Sequence, residues 1–509
     1  GIDCNHYEDY YSTQKILNDS LIYMPTEFLH AQDDGGGAAA MEDFWELHWK
    51  SQKSAGGFIW AMVDEAVIRA DLNNMLDANG LNANDGILGP HREKEGSFYA
   101  LRKIFSPIKL DLPAHLPRGF LGEIPLENRY HFLNTDQCTF YWALVDFSKP
   151  FDRFDGYIVR QKQEKSLKSP SIEPGKKGIL RIGLPDYTNY DALVIVAKDN
   201  FGREIYKWIS QIKNNTAIIK DFAVTKTDST SFKETDSTYT ISGGEVSVVL
   251  DKRSGNLVTT KNTANDYVLS FNKGPVLVKG NAAITGNKAY KEGNDQVVEF
   301  AYGGNMKYAK WKINSSGWTS LEYEYDIEGD QPFAGISFNY PENYVLSARW
   351  LGKGPSRQWK NRLAGTEINV WQNIYNNTHT GYSPVVYPEF KGYYGEVSWM
   401  ELSTVEGKLY IASPDKGLFV RLFDFYALSS AGTAHPEIPV GNISFLDCIP
   451  PIGTKLATGL TTNTKVYGPQ SELNHVSGNK KRTLYFYFGL PKTTDSKEQY
   501  SRPKVDDVF

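Results

Sequence analysis

Cysteine is scarce in this chain: Cys4, Cys138 and Cys448 are the whole supply in 509 residues. An odd, widely spaced set excludes a disulfide framework and offers no zinc-ligand spacing. Long apolar runs are lacking as well. None reaches the roughly 18–20 residues that a membrane helix needs, so no membrane span is expected. There is no excess of one charge. Lys and Arg number 55 against 60 Asp and Glu, a formal net charge of -5 spread along the chain rather than blocked, and a nucleic-acid partner is not expected. No tandem repeat or low-complexity tract is found. The start has no initiator Met, no charged n-region and no h-region. Gly1-Ile2-Asp3 reads as the middle of a protein, the other reading being a terminus made by processing. Bacterial periplasm and cytoplasm both stay open.

Aromatic side chains, by contrast, are plentiful: 11 Trp, 31 Tyr and 26 Phe. They fill cores and can also face sugar rings. The length suggests about three domains. Residues 1–107 read as α/β. Leu21-Ile22-Tyr23-Met24 suits a strand buried on both faces and runs into Pro25-Thr26-Glu27. A loop with Gly35-Gly36-Gly37 follows. Met41, Phe44, Trp45 and Trp49 recur at helical spacing, which predicts a helix over 41–52. Residues 56–63 (GGFIWAMV) read as a second apolar strand, then a long polar loop, then a helix face of Phe98, Leu101 and Phe105. Strand, helix, strand, helix is the pattern of the end of a parallel (β/α)8 barrel, whose catalytic groups gather at the C-terminal ends of the strands. From residue 108 the period changes to two. Residues 139–147 (TFYWALVDF) and 192–198 (ALVIVAK) read as strands, and 108–220 as an immunoglobulin-like β-sandwich. Residues 221–509 read as a large all-β sandwich, with Glu245–Leu250 alternating into a hairpin turn at 252–256.

Glu27 directly follows an apolar strand, where a barrel places catalytic carboxylates; a solvated loop glutamate is the plain alternative. The surrounding residues form a wider pattern. Glu27-Phe28-Leu29-His30, Gly56-Gly57-Phe58-Ile59-Trp60, and Asp85-Gly86-Ile87-Leu88 with Arg92 follow one another. Cys4-Asn5-His6-Tyr7 lies upstream. Ile124–Tyr130 with Asp136-Gln137, Trp350–Pro355 with Arg362 and Gly365, and Tyr387-Pro388-Glu389 lie downstream. In this order and spacing they resemble the β-galactosidases of glycoside hydrolase family 2, over nearly the whole chain.

The resemblance implies a retaining glycosidase acting on terminal β-D-galactosyl residues of an oligosaccharide or glycoconjugate. Such a mechanism uses two carboxyl groups about 5–5.5 Å apart. By resemblance Glu27 is the nucleophile and Tyr7 orients it. The acid/base glutamate, normally preceded by Asn on an earlier strand, has no counterpart before residue 27. The resemblance therefore implies that this chain alone hydrolyses β-galactosides poorly or not at all. His30, Trp60 and Asp85 are the implied sugar contacts. A core tyrosine, a structural histidine and a packing tryptophan are the plain alternatives for Tyr7, His30 and Trp60. Family members often use Mg and Na, most of whose ligands would lie upstream, so no metal ligand is assigned; a homo-oligomer is left open. Three departures bear on specificity. Asp85 stands where the family has Asn, Ala61-Met62 replaces its Asp-Trp, and a late tryptophan that closes the galactose site in some members finds no counterpart. Two other readings remain. One is a β-glucuronidase or β-mannosidase type of the same family, although those follow the nucleophile with Tyr-Gly or Phe-Gly. The other is a non-catalytic carbohydrate-binding or scaffold fragment.

Overall fold

The computed structural model describes the chain except residues 31–37, 79–84, 91, 93, 153–154, 164, 221, 224–228, 265–266, 376–389, 425–436, 454–465 and 490–509. The expected glycine loop at 35–37 and the Tyr387-Pro388-Glu389 motif lie outside the described residues. The described chain is mostly β, arranged in several sheets.

The regular elements of residues 1–107 are short. Ile2–Asp3 pairs in parallel with Ile22–Tyr23. The next segment runs alongside: Tyr23 N–H donates to the Lys53 carbonyl (2.8 Å) and Ala55 N–H to that of Tyr23 (2.9 Å). Phe28 N–H then donates to the Phe58 carbonyl (2.9 Å). Past Trp60 the chain changes partner. Ala61 N–H donates to the Asp85 carbonyl (2.8 Å), Ile87 N–H to that of Ala61 (3.0 Å), and Val63 bridges Leu88 in parallel. This change of partner is why 56–63 forms no regular strand, contrary to expectation. Gly56 also breaks the extended path, with φ +79°. The run 21–24 is not buried on both faces either: Leu21 and Ile22 are exposed and Tyr23 alone is fully buried. Among the described residues the parallel pairing is thus two short strands and isolated bridges, not a barrel.

Helix α1 (Tyr10–Ile16), which the sequence reading did not include, begins where the Asp9 carboxylate accepts from Tyr11 N–H (2.8 Å) and Ser12 N–H (2.9 Å), a good N-cap. Helix α2 (Met41–Lys50) buries Met41, Phe44 and His48, on the face that its spacing indicates. Helix α3 (Gly96–Ile104) buries Ser97, Ala100, Leu101 and Ile104. Of its expected face only Leu101 is buried. Phe105 caps the helix, lies partly in solvent and packs edge-on against Trp45 at 4.6 Å. The expected long polar loop contains a hairpin, Ala66–Arg69 against Met75–Ala78. Its turn puts Asn73 and Asn74 in left-handed conformations (φ 55° and 60°), which asparagine tolerates better than most residues.

Between residues 108 and 211 a three-stranded antiparallel sheet (Ile108–Leu110, Glu123–Asn128, Lys177–Arg181) faces a four-stranded one (Thr139–Phe147, Tyr157–Lys162, Ala192–Lys198, Glu204–Gln211). One core joins them: Ile124, Leu126 and Leu180 with Phe140, Trp142, Leu144, Leu193 and Ile195. The alternate residues Ala143, Val145, Phe147, Val194 and Val196 enter a second core shared with the rest of the chain. Two-sided burial accounts for the unbroken apolar character of these strands.

From Thr230 to Phe488 two five-stranded sheets and one nine-stranded sheet carry antiparallel strands. Their shared core is built on Trp311, Trp350, Trp399, Phe338, Phe445 and Phe486. The expected hairpin is there: Val246–Asp251 pairs with Leu257–Asn262. This sandwich also holds residues 1–107. Tyr467 enters the core made by Phe28, Leu29, Met41, Phe44 and Leu101. Ala40 N–H donates to the Asn361 carbonyl (2.7 Å), and Gln470 N–H to Asp43 Oδ2 (2.8 Å). Gly365, at φ +82°, lies so close to α3 that an added Cβ would stand 2.3 Å from Ala100 N. Burying one large apolar side chain stabilises by about 1.5–3 kcal/mol. The four-residue turn 27–30 is thus anchored from below by Phe28 and Leu29, against a side chain more than 400 positions away.

Candidate active site

Glu27 sits where the parallel segments 22–28 and 53–58 end. Phe28 and Leu29, on either side of the turn, point into the core and are 3% and 4% exposed. Leu29 takes a left-handed φ of 52°, which lets the chain reverse and bring His30 beside Asp85. Gly57 permits this packing, because a Cβ there would meet Phe28 and Pro25 at 2.8 Å. The Glu27 carboxylate remains about one quarter exposed.

Tyr7 is held against it twice. Its backbone N–H donates to the Glu27 carbonyl at 2.9 Å, and its buried hydroxyl faces the Glu27 carboxylate. Burial first, then the nearness of Glu27 and the charges on Glu27 and Asp85, push the phenol far above its usual range. Tyr7 therefore stays protonated, with a hydroxyl able to donate to the carboxylate. Tyr7 also takes a left-handed φ, 55°. Such backbone costs of order 1 kcal/mol in a residue with a Cβ and clusters at functional sites.

A second group adjoins the first. Trp60 Nε1–H donates to Asp85 Oδ2 at 2.7 Å, and His30 Nε2 lies 3.8 Å from the same oxygen. The Tyr7 and His30 rings stand 6.1 Å apart, centroid to centroid. Asp85 is 2% exposed. Burial pushes its carboxyl up to about 7, the Trp60 bond opposes this, and the charge on Glu65 adds to it. Near neutral pH a share of Asp85 therefore carries a proton. The Trp60–Ala61 peptide bond is cis, and Trp60 is 40% exposed.

Tyr7, Glu27, His30, Trp60 and Asp85, which the sequence places up to 78 positions apart, thus meet in one place. Arg92 does not join them: it is exposed and donates to the Pro90 carbonyl at 3.4 Å. Asp64 and Glu65, the other carboxylates near the end of residues 56–63, have different surroundings. Asp64 is buried and accepts from Gly86 N–H at 2.8 Å, fixing the segment that carries Asp85. Sequence reasoning gave no role to His6, whose ring faces Glu27, nor to Tyr467 beneath the turn. A histidine next to the orienting tyrosine was the only available sign of the first; the second had none. Among the described residues no group of three or more His, Cys, Asp or Glu is placed to hold a metal ion. Among them, too, no helix is long and apolar enough to cross a membrane.

The described geometry places a carboxylate among hydrogen-bonding and aromatic groups. The chain is similar to the beta-galactosidase of the yeast Kluyveromyces lactis, 21% identical over 455 residues. That match spans 80% of this chain but 42% of the relative, less than half its length. It supports a relation to glycosidases. No protein-family model matches the sequence. Two solved structures share slight likeness. A galactose mutarotase-like protein from Lactobacillus casei has a TM-score of 0.23 at 11% identity, over 50% of this chain and 99% of that one. An Amycolatopsis orientalis exo-chitosanase in complex with PNP-β-D-glucosamine has a TM-score of 0.20 at 10% identity, over 56% and 32%. Likeness this slight defines neither fold nor function.

Proposed function

We propose that this chain carries the nucleophile of a retaining glycoside hydrolase acting on terminal β-D-galactosyl residues. In this reading residues 1–107 are the last part of a (β/α)8 barrel, 108–220 an immunoglobulin-like sandwich and 221–509 a large β-sandwich. The observation that carries it is the buried Tyr7 hydroxyl on the Glu27 carboxylate, at the end of parallel segments and beside the Trp60–Asp85–His30 group.

Glu27 attacks the anomeric carbon as the glycosidic C–O bond breaks, and the leaving oxygen takes a proton from a second carboxyl group. Water, deprotonated by that same group, then releases the sugar with net retention. Tyr7 orients the attacking carboxylate from the buried side. Trp60 supplies an apolar wall for a sugar face, and Asp85 and His30 bind hydroxyl groups. The beta-galactosidase relative favours galactosides over other sugars.

Glu27→Gln keeps the shape of the side chain and removes the attacking charge. In the complete gene product carrying this sequence, turnover of a nitrophenyl β-galactoside should collapse while galactose binding is largely kept. A variant with near wild-type turnover would refute the assignment.

A further inference from the structure

His6 occupies a place that the mechanism above does not use. Its Nε2 lies 3.7 Å from Glu27 Oε2, and its Nδ1 lies 3.1 Å from Thr26 Oγ1. The ring stands edge-on to Tyr7, centroids 4.6 Å apart at 81°. It is more than half exposed, whereas Tyr7 is buried. In extended backbone two consecutive side chains point to opposite faces. The left-handed turn at Tyr7 breaks that alternation and turns both rings toward one carboxylate. The same chain segment thus approaches Glu27 twice, from the buried side with a hydroxyl and from the open side with an imidazole. Thr26, the residue before Glu27, ties the imidazole in place through its hydroxyl at Nδ1, and the tautomer protonated on Nε2 is the one that presents a donor to Glu27.

We propose that His6 is a second positioning residue for the nucleophile, holding Glu27 from the solvent side so that its attacking oxygen is aimed at the anomeric carbon. The inference rests on Glu27 being the nucleophile. At 3.7 Å the contact is longer than a hydrogen bond, so it closes fully only when the carboxylate turns toward a bound sugar. Apo hydrogen bonds at active sites are often long in this way. A role through Glu27 should show in the chemical step and not in substrate affinity. A merely structural role would show in stability, and the exposure of His6 makes a folding defect on truncation unexpected.

The test uses the complete gene product with His6→Ala and His6→Gln. A 2-fluoro-galactoside with a good leaving group is the probe, read by its rate of covalent labelling and by the labelled peptide. The Ala variant should keep the wild-type melting temperature and KM. Its kcat and labelling rate should each fall by about 10- to 100-fold, the loss expected when a reacting group is misplaced. The Gln variant, which restores a donor near Nε2, should recover part of both rates. Label on Glu27 at an unchanged rate in His6→Ala would overturn the positioning role while leaving the nucleophile intact. Label on another residue in the wild-type protein would overturn both. Equal losses in Ala and Gln variants together with a lowered melting temperature would reduce His6 to a structural part.

Discussion

Replacing Asp85 with Asn should stabilise the protein in a strongly pH-dependent way. The change keeps the size of the side chain and an oxygen to accept the Trp60 indole N–H, and it removes the ionisable carboxyl. Burial pushes that carboxyl from the ordinary 3.8 up to about 7. A native pKa above the unfolded one means that the folded protein holds the proton more tightly. The stability that this provides is fully present below pH 3.8 and is lost as the pH rises through about 7. Each pH unit of that gap corresponds to about 1.4 kcal/mol, so the ionised carboxylate costs about 4 kcal/mol at pH 8. Asn never ionises. The variant should therefore match the wild type near pH 4, gain steadily through pH 5 and 6, and exceed it by about 4 kcal/mol at pH 8. Calorimetric unfolding of both proteins at each pH, compared as differences, reads this directly. A difference that stays constant between pH 5 and 8 would show that Asp85 ionises freely in the folded protein, and the burial argument would fail.

Tyr7→Phe keeps the ring and removes the hydroxyl on Glu27, so kcat should fall by about 10- to 100-fold with KM little changed; steady-state kinetics on a nitrophenyl β-galactoside checks it. Gly365→Ala forces a Cβ against the backbone of α3 in a left-handed conformation, and chemical unfolding should show a loss of about 2–4 kcal/mol. Arg349 donates to Asp155 (2.6 Å), Ser148 Oγ (2.7 Å) and the carbonyls of Lys149 and Pro150 (2.9 and 3.1 Å). Arg349→Met should cost about 2–4 kcal/mol, read by calorimetry as a lowered melting temperature.

How much of this could be read from the sequence depended on how local the cause was. Residues 139–147 and 192–198 announced themselves because both faces of each strand are buried, and the structure gives them those bounds. Helix α2 followed from its period. The hairpin 66–78 was passed over as a polar loop because Arg69, Asp71 and Asp77 look like loop residues. In fact Arg69 ion-pairs with Asp77 at 2.8 Å and Asp71 at 2.6 Å, and so spans the hairpin. The residues 56–63 misled in the opposite direction: an apolar run forms a regular strand only where its partners continue, and here they change at Trp60. The five site positions could be named because each sits in a short motif. The sandwich residues Asn361, Tyr467 and Gln470, which hold the site, have no periodic or local mark, because their partners are hundreds of positions away. His6 lay beside a named residue, but only the left-handed backbone at Tyr7 turns it toward Glu27.

The central claim is that Glu27 forms the covalent bond to the sugar, and trapping that bond tests it most directly. The complete gene product would be incubated with a 2-fluoro-β-galactoside carrying an activated leaving group, digested, and mapped by mass spectrometry. The account predicts a single fluorogalactosyl adduct on Glu27, in the peptide that also contains Phe28 and His30. An adduct on Asp64 or Glu65, with Glu27 unmodified, would contradict it.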